Sequence, residues 1–267
     1  MKTLIYDNEC PLCVAYTGAF VKTGLLDTAG RKHFNEVSPS LLQQIDEQKC
    51  FNEIPLIDET NGKVWYGIDA MLEILGSRFP LIKTIGNCPP VNWLLKKIYK
   101  LVSFNRKVIV GQPSSGLNGN PDFNTKYRVL FLLAGLVVNS WLFTLFYPLF
   151  TKSIFSNADF LQFQVAHFSF VGINVSIAAV LGKRKGLEYL GQVNMLAMTC
   201  MLLLLPLNAA GDVFGNGLIN FVMGAICFLI MREYIRRMKY AGILGNYKMI
   251  VALNITSLLG FFLYLAI

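Results

Sequence analysis

The sequence predicts two parts of different class. An α/β domain occupies residues 1–111, a linker residues 112–128, and an all-α transmembrane bundle of about five helices residues 129–267. Three observations carry this. Charge is uneven: residues 1–128 hold 15 of the 24 Lys+Arg and 12 of the 16 Asp+Glu, leaving 9 and 4 for the remainder. Apolar runs are short and alternating before the linker, and afterwards approach the ~20 residues that a span needs. Between them, residues 111–122 read GQPSSGLNGNPD, a Gly/Pro/Ser/Asn stretch that marks a boundary.

The composition excludes several classes. With 54% hydrophobic and 15% charged residues, against roughly 25% charged in an average soluble domain, the chain is not purely soluble, disordered or collagen-like. Nor is it a disulfide-dense secreted scaffold. The net charge of +8 does not indicate nucleic acid, because the basic residues stand mostly beside apolar spans, where membrane topology accounts for them. Asp7-Asn8-Glu9 interrupts the N-terminal apolar run before it reaches the roughly 7–15 residues of a secretory signal. The N-terminal domain is therefore expected in the cytoplasm.

The elements of the first domain follow in order. Residues 2–7 read as a strand. A helix runs from Cys10 to about Gly24, with Val14, Phe20 and Val21 as buried candidates. A second strand covers 31–37. Ser38-Pro39 opens a helix over 40–48, with Leu41, Leu42 and Ile45 at helical spacing. Residues 54–58 form a strand, Asn61-Gly62 signals a two-residue hairpin, and 63–66 return. A helix over 68–75 is ended by Gly76. The order βαβα–ββα is the thioredoxin order, and its first helix starts at Cys10-Pro11-Leu12-Cys13. Cys88-Pro89-Pro90 closes the compact region. An amphipathic helix over 91–104 then carries Trp93, Leu94, Ile98, Leu101 and Val102 on one side, with Lys96, Lys97 and Lys100 toward the other. It caps the domain, lies on anionic lipid, or does both.

Of six cysteines, only Cys10 and Cys13 have a telling spacing. In a reducing compartment such a pair is redox-active or metal-binding. Zinc takes four ligands, and Cys50, Cys88 and His33, the spare candidates, do not repeat the pair, so no metal is expected. Redox chemistry needs a thiolate. A helix N-terminus supplies unpaired N–H groups and about half a positive charge to favour one, and Pro11 suits the first turn. Cys10 is thus expected to be the exposed nucleophile and Cys13 the resolving thiol. Such exchange uses a redox-active disulfide and requires no cofactor; its partners are protein or small-molecule thiols and disulfides. Asp7 admits two roles: proton transfer with Cys13, or capping and turn formation.

Asp7-Asn8-Glu9-Cys10-Pro11-Leu12-Cys13 resembles the signature of the DCC family of thiol–disulfide oxidoreductases, named for Asp-x-x-Cys-x-x-Cys. Ile54-Pro55-Leu56-Ile57-Asp58, Gly67-Ile68-Asp69-Ala70, Tyr99 and Asn105-Arg106 extend the resemblance over roughly residues 1–111. Asn8 stands where the family usually has Gly, and Asn tolerates a left-handed backbone better than most residues. The resemblance implies a thioredoxin-like oxidoreductase and names no substrate. It also assigns Pro55 to the active site, because a cis proline there faces the cysteine pair in thioredoxin-like folds. Residues alone leave open an ordinary trans proline at a strand start.

In the second half, apolar runs cover about 129–150, 160–182, 189–208, 214–231 and 248–267. Basic residues alternate between the flanks: Lys126 and Arg128, then Lys152 alone, then Lys183-Arg184-Lys185, then none, then Arg232, Arg236, Arg237, Lys239 and Lys248. The positive-inside rule places the N-terminal domain in the cytoplasm and the C-terminus outside, in an inner or plasma membrane. Gln164, His167 and Asn174 share a helix face. Asn139, Gln192, Asn194, Asn220 and Asn254 can join them from other runs. They form either a pocket for a quinone-like redox partner or proton path, or interhelical hydrogen bonds that hold the bundle. Cys200 and Cys227 read as packing residues. Two functions compete. One is a membrane-anchored thiol–disulfide oxidoreductase. The other is a transporter or lipid- or small-molecule-binding bundle regulated by a redox-sensing domain.

Overall fold

The structure, a computed structural model, describes residues 1–111, 123–211 and 213–267. It divides into two compact units, Met1–Arg128 and Val129–Ile267. The linker expected from composition falls mainly on residues 112–122, outside the described residues.

The first unit is built on a mixed four-stranded sheet of order β2-β1-β3-β4. Strand β1 (Lys2–Tyr6) pairs parallel with β2 (Arg31–His33) and antiparallel with β3 (Pro55–Asp58), which pairs antiparallel with β4 (Lys63–Tyr66). Alternation along the strands sends side chains to two cores. Leu4, Tyr6, Ile54 and Leu56 meet Leu26, Ala70 and Ile74 on one face. Ile5 and Ile57 meet Val37, Ile45 and Cys50 on the other. Helix α1 (Pro11–Lys22) makes the parallel crossover between β1 and β2. The thioredoxin-like order is thus present, with helices α2 (Pro39–Leu42), α3 (Glu47–Cys50), α4 (Gly67–Leu75), α5 (Pro80–Asn87) and α6 (Pro89–Val110) completing the unit.

Four details differ from the sequence reading. The second strand stops at His33, and Phe34–Glu36 is a turn of 3-10 helix. The helix expected over 40–48 is broken, because Asp46 accepts a hydrogen bond from the Lys49 N–H (3.3 Å) and starts a new helix there; a short acidic side chain favours a cap over a helix interior. The hairpin loop spans four residues, since Asp58 pairs with Lys63, with Gly62 in the left-handed region (φ 69°). Pro89-Pro90 do not end the compact region. They start α6, where prolines in the first turn cost no hydrogen bond, and that helix runs to Gly111.

The second unit holds five helices long and apolar enough to cross a membrane: α7 (Thr125–Leu145), α9 (Phe160–Leu181), α10 (Lys183–Ala209), α11 (Asn216–Tyr240) and α13 (Lys248–Ala266). Short α8 (Tyr147–Thr151) and α12 (Ile243–Asn246) lie between them. The first apolar run does not continue to 150 as one helix, because Pro148 cannot donate to it and Phe146 breaks it. Helix α10 begins at Lys183, so the basic triplet lies in its first turn, joined to α9 by Gly182 alone. Large apolar side chains such as Phe221, Phe228 and Val180 are exposed on the bundle, as lipid-facing residues are. The chain is accordingly read as an integral membrane protein.

At the start of α4, Gly67 has φ 56° and its N–H donates to the Ile54 carbonyl (2.9 Å). A Cβ there would lie 3.0 Å from the Tyr99 ring and 3.2 Å from the Glu53 carboxylate. Gly67→Ala is therefore expected to cost about 1–2 kcal/mol from the backbone conformation alone. Thermal unfolding of the detergent-solubilised chain should show a lower midpoint for the first unit.

Candidate active site

Cys10 is the N-cap of α1, with extended backbone, and its sulfur accepts the Cys13 N–H at 3.4 Å. The α-turn that follows brings Cys13 round to the same end of the helix, and its thiol also donates to the Cys10 sulfur. Thr17, fully buried, anchors this turn: its hydroxyl donates to the Cys13 carbonyl (2.7 Å) and accepts from Arg31 Nε (3.0 Å). Both cysteines are buried, Cys10 at 8% exposure and Cys13 at 5%. Cys10 is thus not the exposed group expected from its position at the helix cap.

The two sulfurs are driven apart in acidity. Cys10 is pulled down to about 6, first by the Cys13 thiol donating to it, against the cost of burial, and further by the Cys13 N–H and the Arg106 guanidinium. Cys13 is held far above the ordinary thiol range, first because its proton bridges to Cys10, then by burial and by the charge on Cys10. A buried dithiol of this kind shares one proton, and the negative charge rests on the sulfur at the helix end.

Three side chains surround the pair that were not singled out as site residues. Tyr16, one turn beyond Cys13, donates its hydroxyl to the Cys13 sulfur. Burial and the neighbouring thiolates push that phenol upward, so it stays protonated. Tyr99 and Arg106 come from α6. The Tyr99 hydroxyl accepts the Ile54 N–H at 3.1 Å, and burial raises it also. Arg106 Nη2 lies 3.9 Å from Asp7 Oδ2 and donates to the Phe51 carbonyl at 3.2 Å. Between them Ser103 donates to the Asn52 carbonyl. The recurrence 99, 103, 106 is one face of a helix, and that spacing was the available signal. Tyr99 and Arg106 entered the sequence reading only as points of resemblance.

Asp7 serves its turn and its neighbourhood at once. Oδ1 accepts the Glu9 N–H at 3.0 Å, an Asx turn. Oδ2 is buried, faces Arg106, and accepts no hydrogen bond among the described residues. Pro55 is buried at the head of β3, opposite Tyr66. No cis peptide bond occurs among the described residues, so the cis form implied by the resemblance is corrected to trans. The trans bond is the lower-energy form for X–Pro. Ile54 is held in extended register by its bonds to Tyr99 and Gly67.

The other candidates are apart from this cluster. Cys50 is pushed up to about 12, mainly by burial and then by Asp46; Cys88 is exposed; His33 pairs with Glu36 at 2.8 Å. Among the described residues, no group of three or more His, Cys, Asp or Glu is arranged to hold a metal ion. In the bundle, Gln164 donates to Thr144 (3.3 Å) and His167 bonds Ser140 (2.9 Å), both on α7. Asn174 instead accepts from Tyr189 on α10 and Asn254 on α13, each at 2.6 Å. The three residues that share a face of α9 therefore contribute to two separate sets of interhelical bonds. Asn139 joins Asn194, Gln192 accepts from Arg237, and Asn220 accepts the Ile154 N–H.

Residues 4–112 match the DCC1-like family, described as thiol-disulfide oxidoreductase. The N-terminal unit is a DCC1-like thiol-disulfide oxidoreductase domain. The match spans less than half of the chain, and no curated protein and no solved structure matches it. In this DCC1-like domain the Asp-x-x-Cys-x-x-Cys motif supplies the sulfurs and the loop carboxylate, while the last helix of the domain supplies the arginine and tyrosine around them.

The alkylation rate of Cys10 by iodoacetamide should rise with pH through a midpoint near 6, following its thiolate. Cys13→Ala removes the thiol proton that favours the Cys10 thiolate, and should move that midpoint upward. Arg106→Gln should move it up by less.

Proposed function

We propose that the chain is a membrane-anchored thiol–disulfide oxidoreductase in which Cys10 attacks and Cys13 resolves. The observation that carries this reading is the placement of the pair, with Cys10 capping α1 and its sulfur accepting the Cys13 N–H at 3.4 Å, an arrangement that lowers the pKa of Cys10 and raises that of Cys13. In the reducing direction, the Cys10 thiolate attacks one sulfur of a substrate disulfide. That bond breaks, a Cys10–substrate disulfide forms, and the first substrate sulfur leaves as a thiolate and takes a proton. Once Cys10 is bonded, its charge no longer holds the Cys13 proton. Cys13 loses the proton, attacks the Cys10 sulfur, and expels the second substrate thiolate. The pair ends as a disulfide and the substrate as a dithiol; reversal oxidises a dithiol. Asp7 Oδ2 is the acceptor proposed for the Cys13 proton, and Arg106 steadies the charges on both. Pro55 borders the substrate side on the strength of the resemblance.

The membrane half is proposed as an anchor with the domain on the cytoplasmic side. Lys183, Arg184 and Lys185 support this orientation. They occupy the first turn of α10, where a helix dipole disfavours cations, so topology rather than helix stability accounts for them. The polar residues within the bundle are already bonded helix to helix, which supports a holding role over a binding pocket.

Cys13→Ser should trap a Cys10-linked mixed disulfide with thiol-containing partners on non-reducing gels, and Cys10→Ser should trap none. If Cys10→Ser traps the same species, the assignment of nucleophile is wrong. Asp7→Asn should slow release of the mixed disulfide by ~10²-fold, while leaving the Cys10 alkylation midpoint unchanged or slightly lower. In intact cells, an impermeant maleimide should fail to reach Cys10 and Cys13 in a background lacking the other four cysteines, and a permeant one should label them.

A further inference from the structure

Helix α6 is amphipathic in the opposite sense from a domain-closing helix. Its charged side faces the DCC1-like domain: Lys96 pairs with Asp69 at 2.8 Å, Lys100 with Glu53 at 3.6 Å, and Arg106 with Asp7 at 3.9 Å. Its apolar side faces out. Trp93 is 63% exposed, Leu94 51% and Ile98 49%, with Val102 beside them. The preceding α5 packs against α6 and adds exposed Leu81 and Ile85. The basic face expected to meet lipid or solvent is instead spent on the domain's own carboxylates, and an apolar strip is what remains.

Three facts indicate what covers that strip. Residues 74–111 contain seven Lys and Arg and no Asp or Glu, so nothing along the segment repels an anionic surface. Lys97 lies over the Trp93 ring at 5.7 Å, and a tryptophan with a flanking lysine suits the zone between acyl chains and headgroups. The far end of the same face is already covered within the first unit: Tyr127 stacks on Phe104 with centroids 4.9 Å apart, and Asn105 Nδ2 donates to the Tyr127 carbonyl at 3.2 Å.

We propose that the outward face of α5 and α6 is a bilayer-docking surface: it seats the domain on the anionic headgroup zone of the membrane that the chain's own helices occupy. The apolar side chains enter the interface, Lys97 reaches the phosphates, and the DCC1-like domain is held at the surface.

The test uses the full chain in lipid nanodiscs, in a W65F/W141F background that leaves Trp93 as the single tryptophan. Phosphatidylcholine discs with about a third phosphatidylglycerol are compared with phosphatidylcholine alone. Lipids brominated near the headgroup end of the acyl chain are the quencher. Docking predicts that brominated anionic discs quench Trp93 emission by half or more, that neutral discs or high salt weaken the effect, and that L94E/I98E abolishes it. The Cys10 alkylation rate confirms that the variant is folded, and I98E alone, at an exposed position, replaces it should the double variant misfold. Trp93 left unquenched in anionic discs overturns the proposal, whether its emission reports water or burial against protein. Quenching that is indifferent to both lipid charge and the glutamate substitutions overturns it equally.

Discussion

Arg106 is the side chain on which the arrangement of the soluble half converges. Its guanidinium reaches the Asp7 carboxylate after β1 and the Phe51 carbonyl before β3, and its charge is felt at both cysteine sulfurs. A buried cation must be answered by acceptors or it destabilises the fold. Here the acceptors belong to two loops, one following β1 and one preceding β3. Tyr99 and Ser103, on the same face of α6, add bonds to Ile54 and Asn52. One helix thereby fixes both loops, so the electrostatics of the thiols depend on an element almost a hundred residues away in sequence.

The outline of this half was legible because its signals are local. Four strands and the α1 start follow from short apolar runs and from Pro11 after a cysteine. What sequence could not supply is tertiary. Helix α5 escaped notice since Leu81, Ile82 and Ile85 make an apolar stripe that faces outward instead of marking a core. The break at Asp46 is a competition between cap and helix interior, decided partly by the Asp46 N–H donating to the Tyr66 hydroxyl from β4. Nothing in the sequence distinguishes Tyr16, and only the fold brings its hydroxyl to Cys13. The expected exposure of Cys10 failed because a helix-end position does not fix how the surrounding fold packs against it.

The membrane half follows a different economy of polar groups. Asparagine, glutamine, histidine and tyrosine side chains link α9 to α10 and α13, and α7 to α9 and α10. Each such bond is modest, yet an unpaired polar group in hydrocarbon costs more than the bond returns. A further group, Gln192, Arg237 and Glu233, ties α10 to α11 near the basic end of the bundle. Periodicity located the helices well, because hydrophobic length is itself the constraint. It could not separate residues on one face of α9 into their two sets of partners, since that depends on which neighbour stands at which depth.

The junction of α9 and α10 constrains how the two helices approach each other. A single residue, Gly182, joins them, with φ 77° and ψ 168°, a conformation open essentially to glycine. A side chain on Gly186 would run into the Ala178 carbonyl, so the two helices touch within a turn of the bend. At this end the spacing of the two helices is thus set by backbone contact, and a substitution at Gly186 would have to push them apart.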